Sequence, residues 1–372
     1  MPRPFDVAVI GGGPAGAAAV IRLAGAGART LLVERTSGAH PKVCGEFVSG
    51  AALAELSNLG IDAARAGARP ISHVALVRGT RRIDVRLPFP AAAWSREVLD
   101  EALLARAAAA GAELRRGHAV RGIAFEDGRY TLGLASGHTI AARALFIATG
   151  KHDLKGFRRP AGRQPGLVAF KQHLRLSPAA MAALAGRVAL IPFAGGYAGL
   201  QPIEDGRATL CLVTHRATLS AQGAAWPRLI QSLRRAEPQL DGWLAGSVPC
   251  WPKPVAIARI PYGFVRSASD GPWWLGDQAA VIPSFTGAGI GIALASARAA
   301  ATALLAGERA QAFQGGFAAA VRPQVRGALV LSRLMVRPAG ADALAAIAAL
   351  VPGVVRVVAR AVQPQGPHVV AA

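Results

Sequence analysis

Three glycines near the amino terminus have the spacing that binds a dinucleotide. Gly11, Gly13 and Gly16 follow the apolar run from Asp6 to Ile10 and precede an Ala-rich stretch with apolar residues at helical spacing. In such a unit the first glycine permits the tight turn, the second lets a pyrophosphate approach the backbone, and the third packs the helix against the strand. The phosphates then lie at a helix N-terminus. The spacing therefore predicts a dinucleotide-phosphate site.

A carboxylate follows at the distance that this unit requires. The second apolar strand, Thr30 to Val33, ends at Glu34. That position is about 20 residues after the glycine turn, where an acid can accept hydrogen bonds from a ribose hydroxyl pair. Because strand, turn, helix and acid occur together, a chance glycine loop explains the pattern poorly.

A second acid and a second group of glycines stand in the last third of the chain. Trp273 to Gly276 is predicted as a short strand that ends at Asp277, and Gly287 and Gly289 precede an Ala-rich helix from Ile290 to Leu305. An acid at the end of a strand and glycines at the start of a helix again indicate a phosphate or polyhydroxyl ligand.

Other polar residues are candidates that the sequence leaves open. The loop segment from Lys42 to Phe47, with a Lys-x-Cys-Gly pattern, is either solvated or catalytic. Arg96 follows a predicted N-cap, Ser95, and its charge opposes the helix dipole; it faces either a bound phosphate or solvent. Lys171 and His173 alternate on a predicted strand and face either the ligand or solvent.

The elements between these motifs predict an α/β fold with two sheets. A strand pair is expected within His73 to Leu87 around a Gly79-Thr80 turn, a hairpin around Asp127, and mostly strands from 166 to 262. We expect a discontinuous, Rossmann-like nucleotide-binding domain, a β-sheet substrate domain and a C-terminal helical region. Their predicted bounds are 1–75, 95–160 and 265–310 for the first, 76–94 and 161–264 for the second, and 311–372 for the third.

The composition of the 372-residue chain restricts its class. With 52% hydrophobic residues, the chain can bury a large core and form two or so domains. Its formal charge of +21 comes mostly from scattered arginines without a dense basic block, so no nucleic acid partner is expected. The oligomeric state is left open.

Cysteine usage and hydropathy predict the compartment. Cys44, Cys211 and Cys250 lack C-x-x-C spacing, so neither a metal site nor a disulfide framework is expected. The first strand begins too early to leave room for a signal peptide, and the longest uncharged stretch, Gln278 to Ala297, is broken by Pro283. These features predict a cytoplasmic protein.

The motifs together resemble FAD-dependent oxidoreductases of the p-hydroxybenzoate-hydroxylase-like class, and most of all the geranylgeranyl reductase branch. The resemblance covers about residues 5 to 310. It implies FAD as the cofactor, with NAD(P)H or another external reductant. The cofactor-binding residues that it implies are Gly11, Gly13, Pro14, Ala15, Gly16, Glu34, Arg35, Lys42, Cys44, Gly45, Arg96, Val120, Gly150, Asp277, Pro283, Gly287, Gly289 and Ile290.

The same resemblance implies a hydrophobic small-molecule substrate. Cys44, Glu46 and Tyr197 are the implied catalytic candidates. Prenyl reductases tend to carry Tyr-x-Trp-x-Phe-Pro, whereas this chain has Gly199 and Gln201 at the two aromatic positions, a change that would widen the cavity. We expect reduction or dehydrogenation of a carbon–carbon bond in an isoprenoid or polyketide-like metabolite; the alternatives are hydroxylation of such a metabolite and a non-catalytic binding role.

The C-terminal region from Val325 to Val362 carries apolar residues at helical spacing with paired arginines. Two roles are open for this region. It is either a helical cap, placed over the active site or on the nucleotide domain, or a basic amphipathic surface that contacts an anionic membrane.

Overall fold

Two β-sheets organise the residues that the computed structural model describes, 3–363. The strands within this range are β1 Phe5–Ile10, β2 Thr30–Glu34, β3 Phe47–Val48, β4 Arg69–Arg78, β5 Arg81–Ala93, β6 Glu113–Arg116, β7 Val120–Glu126, β8 Arg129–Leu134, β9 Thr139–Ile147, β10 Leu167–Arg175, β11 Arg187–Phe193, β12 Gly196–Pro202, β13 Ala208–His215, β14 Val248–Pro249, β15 Val255–Ala258 and β16 Trp273–Trp274.

Helices connect the strands and form the C-terminal region. They are α1 Pro14–Gly25, α2 Gly50–Asn58, α3 Arg96–Ala109, α4 Pro178–Ala183, α5 Arg216–Ala221, α6 Trp226–Ala236, α7 Pro238–Leu244, α8 Gly289–Leu305, α9 Ala310–Met335, α10 Pro338–Leu350 and α11 Pro352–Ala361.

The first sheet places the carboxyl ends of its parallel strands side by side. Its order is β6-β2-β1-β9, all parallel, with β16 also parallel to β9 and the hairpin β7–β8 continuing from β9 in antiparallel fashion. Both faces of β1 are buried: Val7 and Val9 pack in one apolar cluster, Ala8 and Ile10 in another. Parallel strands need this two-sided burial, which explains their continuous apolar runs. The predicted Rossmann-like domain is confirmed.

The second sheet is mostly antiparallel and contains more of the chain than the sequence predicted. Its order is β14-β10-β13-β12-β11-β4-β5-β3, with β15 paired to β10. Strand β4 pairs with β5 from Arg69 opposite Ala93 to Arg78 opposite Arg81. The predicted boundary between 75 and 76 is therefore wrong, since it cuts a strand whose ladder runs through that point.

Of the three C-terminal helices, α9 contacts α8 and β16, whereas α10 and α11 lie against the second sheet. Helix α10 contacts β4 and β11, and α11 contacts β5. No helix of the range 3–363 is long and apolar enough to cross a membrane. Residues 1–2 and 364–372, the latter part of the predicted helical region, lie outside the described residues.

Candidate active site

A cavity of about 330 Å³ lies where the two sheets and the C-terminal helices meet. At one end it is lined by Gly13, Pro14 and Ala15 of the glycine turn. At the other end its walls are apolar side chains of the second sheet and of α9 to α11, among them Leu76, Phe89, Val188, Leu190, Met335 and Val358. The cavity therefore joins a nucleotide-type turn to an apolar chamber.

The glycine turn has the geometry that its spacing predicts. Gly11 has a φ of +109°, and a Cβ there would lie 2.4 Å from the carbonyl oxygen of Ala148. A Cβ on Gly16 would lie 2.0 Å from the carbonyl oxygen of Gly11. Helix α1 begins at Pro14 without a side-chain cap, so its positive end faces the cavity.

Glu34 binds the glycine turn directly. Its carboxylate accepts a hydrogen bond from the Gly12 N–H at 2.7 Å and from the Thr36 hydroxyl at 2.8 Å. Burial alone would raise the pKa of Glu34, but the bonds from the Gly12 and Thr36 N–H groups and the Lys42 charge outweigh it and hold the pKa below its usual value. The carboxylate therefore stays ionised beside the turn.

Two cations share one carboxylate beside the turn. Arg96 forms a bidentate pair with Asp100 at 2.8 and 2.9 Å, and the Lys42 ammonium lies 2.7 Å from the same carboxylate. Burial opposes ionisation of Asp100, yet Arg96 and Lys42 keep its pKa below the usual range. Arg96 lines the cavity and is next to Gly13, whereas Lys42 does not line it. The cluster carries a net positive charge.

The start of α8 forms the opposite wall of the nucleotide end. Gly287 has a φ of +63°, and a Cβ there would lie 2.4 Å from the Phe47 ring. Gly289 opens the helix without a side-chain cap, and a Cβ at Gly289 or Gly45 would meet nothing within 4 Å. Such open backbone lets a planar ring approach closely.

These donors fit a flavin dinucleotide. Two uncapped helix starts and the Arg96 guanidinium are suited to a diphosphate, since N–H dipoles and a cation converge on the cavity. The Asp277 carboxylate lies 3.2 Å from the Lys151 ammonium, and both residues line the cavity. Burial opposes the charge on Lys151, but the Asp277 carboxylate raises its pKa.

A buried ion cluster on the side of β10 holds the loop from Cys44 to Glu46 in place. Glu46 has a φ of +58° and no exposed surface. Its carboxylate binds the Lys171 ammonium, the His173 ring at 2.7 Å and the Arg96 N–H at 2.7 Å. Burial would raise the pKa of Glu46, but Lys171 and His173 lower it below its usual value.

Lys171 and His173 are therefore not the solvent-facing pair that the alternation of the strand allowed. Both have no exposed side-chain surface and point to Glu46 from β10. Gln201 completes the support of the loop, because its amide donates to the carbonyl oxygens of Gly45 and Glu46, each at 3.0 Å.

Three hydroxyl groups, those of Tyr197, Tyr262 and Ser284, belong to residues that line the cavity. The Tyr262 hydroxyl lies 2.6 Å from the Ser284 hydroxyl. Burial raises the pKa of Tyr262 to about 12 and that of Tyr197 well above its usual value. The Tyr197 hydroxyl is buried and forms no hydrogen bond of normal geometry within residues 3–363. Both phenols keep their protons at neutral pH.

The structure brings most of the sequence-predicted site residues to this cavity. Those that line it are Gly13, Pro14, Ala15, Cys44, Gly45, Glu46, Arg96, Gly150, Tyr197, Asp277, Gly287, Gly289 and Ile290. Those that do not line it are Gly11, Gly16, Glu34, Arg35, Lys42, Val120 and Pro283. The first two pack inside the turn, and Glu34 and Lys42 bind residues next to it.

Sequence reasoning missed several polar residues of the cavity, among them Lys151, Tyr262 and Ser284. Lys151 had a usable signal, since it directly follows the glycine at the end of β9, where the carboxyl ends of parallel strands meet. Tyr262 lies in a loop and Ser284 begins a short 3-10 helix, Ser284–Thr286; neither belongs to a motif, so only the fold shows that they meet.

Comparisons with known proteins agree with this geometry. The FAD binding domain family matches residues 4–143. Menaquinone reductase of Mycolicibacterium smegmatis is 28% identical over 81% of this chain and 76% of its own length. Digeranylgeranylglycerophospholipid reductase 1 of Methanopyrus kandleri is 29% identical over 79% of this chain and 78% of its own.

A solved structure supports the fold over nearly the whole chain. The myxobacterial chondrochloren halogenase CndH, an FAD-dependent halogenase, superposes with a TM-score of 0.77 at 21% identity, over 95% of this chain and 91% of the halogenase. At that identity the likeness concerns the fold alone. With the FAD binding domain, the reductase relatives and the cavity geometry together, the chain is an FAD-dependent oxidoreductase related to the menaquinone and geranylgeranyl reductases.

Proposed function

We propose that this oxidoreductase reduces a carbon–carbon double bond of an apolar metabolite of the isoprenoid type. The observation that carries the proposal is the cavity itself, in which an apolar chamber is continuous with the nucleotide end. An apolar chamber binds hydrocarbon by excluding water from it, and few polar groups are then needed to orient the ligand.

One structural observation and one comparison support an alkene rather than a polar substrate. The chamber walls from β4, β5 and β11 contribute Val74, Leu76, Leu87, Phe89 and Val188, and the C-terminal helices contribute further apolar residues. The curated relatives are named as reductases of menaquinone and of a digeranylgeranyl lipid, and both names refer to isoprenoid compounds.

Saturation of an alkene adds a hydride to one carbon and a proton to the other. Bound FAD would supply the hydride equivalents, since this chemistry belongs to the cofactor. The proton would come from the Tyr197 hydroxyl, which is buried, stays protonated and forms no hydrogen bond of normal geometry among residues 3–363. The O–H bond breaks as the new C–H bond forms, and the phenolate then takes a proton from the Tyr262–Ser284 pair or from water.

Glu46 has a positioning role in this scheme. Its carboxylate is turned to Lys171 and His173, which keep it ionised, so it has no proton to give. By binding β10 and the start of α3, it fixes the backbone at Cys44 and Gly45, which line the cavity. Cys44 remains a second candidate to donate the proton.

The electrons would come from NAD(P)H or another external reductant. The chain contains a single G-x-G-x-x-G turn, and we assign it to FAD. A nicotinamide donor would therefore dock transiently at the cavity.

The test is a reaction of the reduced holoenzyme, without oxygen, with a polyprenyl quinone and with geranylgeraniol as probes. The proposal expects one of them to gain two hydrogens, as measured by product mass, while the flavin absorbance returns to that of the oxidised form. If products gain an oxygen atom and form only in air, the protein is a monooxygenase. If neither probe reacts under either condition, the isoprenoid assignment is wrong.

A further inference from the structure

Exposed apolar side chains are concentrated on the three C-terminal helices. Within residues 3–363, ten large hydrophobic side chains are exposed, and seven of them lie between 330 and 357. Val330 and Leu334 are on α9, and the other five are Ile347, Leu350, Val351, Val354 and Val357 of α10, α11 and the residue between them. We call these seven residues the C-terminal patch. Leu350 is 82% exposed and Val357 is 68% exposed.

The C-terminal patch is surrounded by positive charge. From 310 to 363 the chain carries six arginines and one acid, Asp342, which already pairs with Arg78. Arg326 and Arg333 stand four before and three after Val330, so they flank it on one side of α9. Arg356 and Arg360 stand one turn apart on α11 and flank Val357.

The patch is also continuous with the wall of the cavity. Ile347 and Val354 line the cavity, yet they are 46% and 39% exposed. The apolar chamber therefore reaches the surface between α10 and α11, at the place where Leu350 and Val351 are exposed. A hydrocarbon chain that left an apolar phase here would enter the cavity without crossing water.

We propose that the C-terminal patch docks on the surface of an anionic lipid bilayer and opens the substrate cavity to it. Exposed apolar side chains flanked by arginines fit the interface between headgroups and acyl chains, where both kinds of side chain find partners. A second copy of this chain is a poorer occupant, because a symmetric contact would place arginine against arginine.

This proposal rests on the proposed function and adds to it the place where the substrate enters the protein. Membrane docking can nevertheless be tested without enzyme turnover. Vesicle binding can be measured on the holoenzyme in the absence of substrate and reductant. A failure of the reductase assay therefore leaves this proposal intact, and a failure of docking leaves the reductase assay intact.

The experiment is co-sedimentation of the full chain with vesicles of phosphatidylcholine alone or mixed with phosphatidylglycerol. We expect binding to the mixed vesicles, reduced at least about tenfold by L350D/V357D and by R356E/R360E. Val248 is 59% exposed in the second sheet, outside the patch, so V248D is the matched control and should bind as the wild type does. R129E, in the hairpin of the first sheet, is the matched control for charge.

Three outcomes would overturn the proposal. The first is failure of the wild type to bind mixed vesicles at physiological ionic strength. The second is an equal loss of affinity in the controls and the patch variants, which would indicate non-specific attraction by the overall positive charge. The third is a dimer in sedimentation velocity that L350D/V357D dissociates, with no vesicle binding, which would assign the patch to a second copy.

Discussion

The His173 ring lies 2.7 Å from a carboxylate oxygen of Glu46, and neither side chain has exposed surface. Lys171 binds the other oxygen, which also accepts a hydrogen bond from the Arg96 N–H. One carboxylate thus joins the Cys44–Gly45 loop to β10 of the second sheet and to the first turn of α3. The loop that lines the cavity is therefore held from both halves of the molecule.

We expect Glu46→Gln to lower the free energy of unfolding by about 3 kcal/mol, because it leaves the Lys171 charge buried without a counterion. The measurement is urea denaturation followed by tryptophan fluorescence. Glu101→Gln is the control, since Glu101 pairs with Arg116 at a partly exposed site. This substitution should lower the free energy of unfolding by at most about 1 kcal/mol. Equal losses in the two variants would show that the cluster does not stabilise the fold.

The ion pair of Glu46 and Lys171 also predicts that the stability of the protein depends on pH. The pKa of Glu46 is lower in the folded protein than in the unfolded chain, so its contribution is fully present above the unfolded pKa of about 4.3. That contribution is lost as the pH falls through the lower, folded pKa. The stability difference between wild type and Glu46→Gln should therefore shrink as the solution is acidified below that range. A difference that stays constant would contradict the ionised state assigned to Glu46.

We expect Arg96→Ala to weaken FAD binding by about 10- to 100-fold, the range for loss of one charge-assisted hydrogen bond. The measurement is titration of the apoprotein with FAD, followed by quenching of flavin fluorescence. Arg106→Ala is the matched control, because Arg106 lies on the same helix but donates to the carbonyl oxygen of Leu59 at 2.9 Å. An unchanged affinity in Arg96→Ala would remove Arg96 from the phosphate site.

Local patterns allowed much of the first sheet to be predicted. The glycine turn, Glu34 and the Ser95 N-cap each depend on residues close in sequence, and the Ser95 hydroxyl does accept the Val98 N–H at 3.3 Å. The Gly79-Thr80 turn likewise allowed the hairpin of β4 and β5 to be predicted. The boundary at 75/76 failed because it divides a single strand: the residues on both sides of it belong to β4, and the chain has already entered the second sheet at β3.

The ion cluster of Glu46, Lys171 and His173 could not be predicted from the sequence, for a physical reason. Alternation shows that Lys171 and His173 share one face of a strand, but not whether that face is covered. Only the packing of the Cys44–Glu46 loop, more than 100 residues earlier in the chain, decides this. The same holds for Tyr262 and Ser284, whose hydroxyl groups are brought together only by the tertiary fold.

We expect Tyr197→Phe to lower kcat by about 100-fold with little change in KM, since it removes the proposed proton donor and keeps the ring. The pKa of Tyr197 is raised well above its usual value, so kcat should show no loss from ionisation of this phenol up to about pH 10. Tyr130→Phe is the control, because Tyr130 is buried in the first sheet away from the cavity. If kcat survives in Tyr197→Phe, Cys44→Ala becomes the decisive variant.

Gly199 lies in the wall of the cavity. It lies between Tyr197 and Gln201 on β12, and all three line the cavity, so a side chain at 199 would point into it. A Cβ there would have its nearest neighbours at 3.9 Å, the carbonyl oxygens of Ala189 and Cys211. Alanine therefore fits without displacement.

We expect Gly199→Trp to raise KM for a polyprenyl quinone at least about tenfold, because the indole occupies space that a ring needs, while Gly199→Ala leaves KM within about twofold. KM for the slimmer geranylgeraniol should rise less than that for the quinone. Because the indole extends into the cavity rather than into packed core, the free energy of unfolding should change by less than about 1.5 kcal/mol. An equal rise for both compounds would show that Gly199 does not select substrates by width.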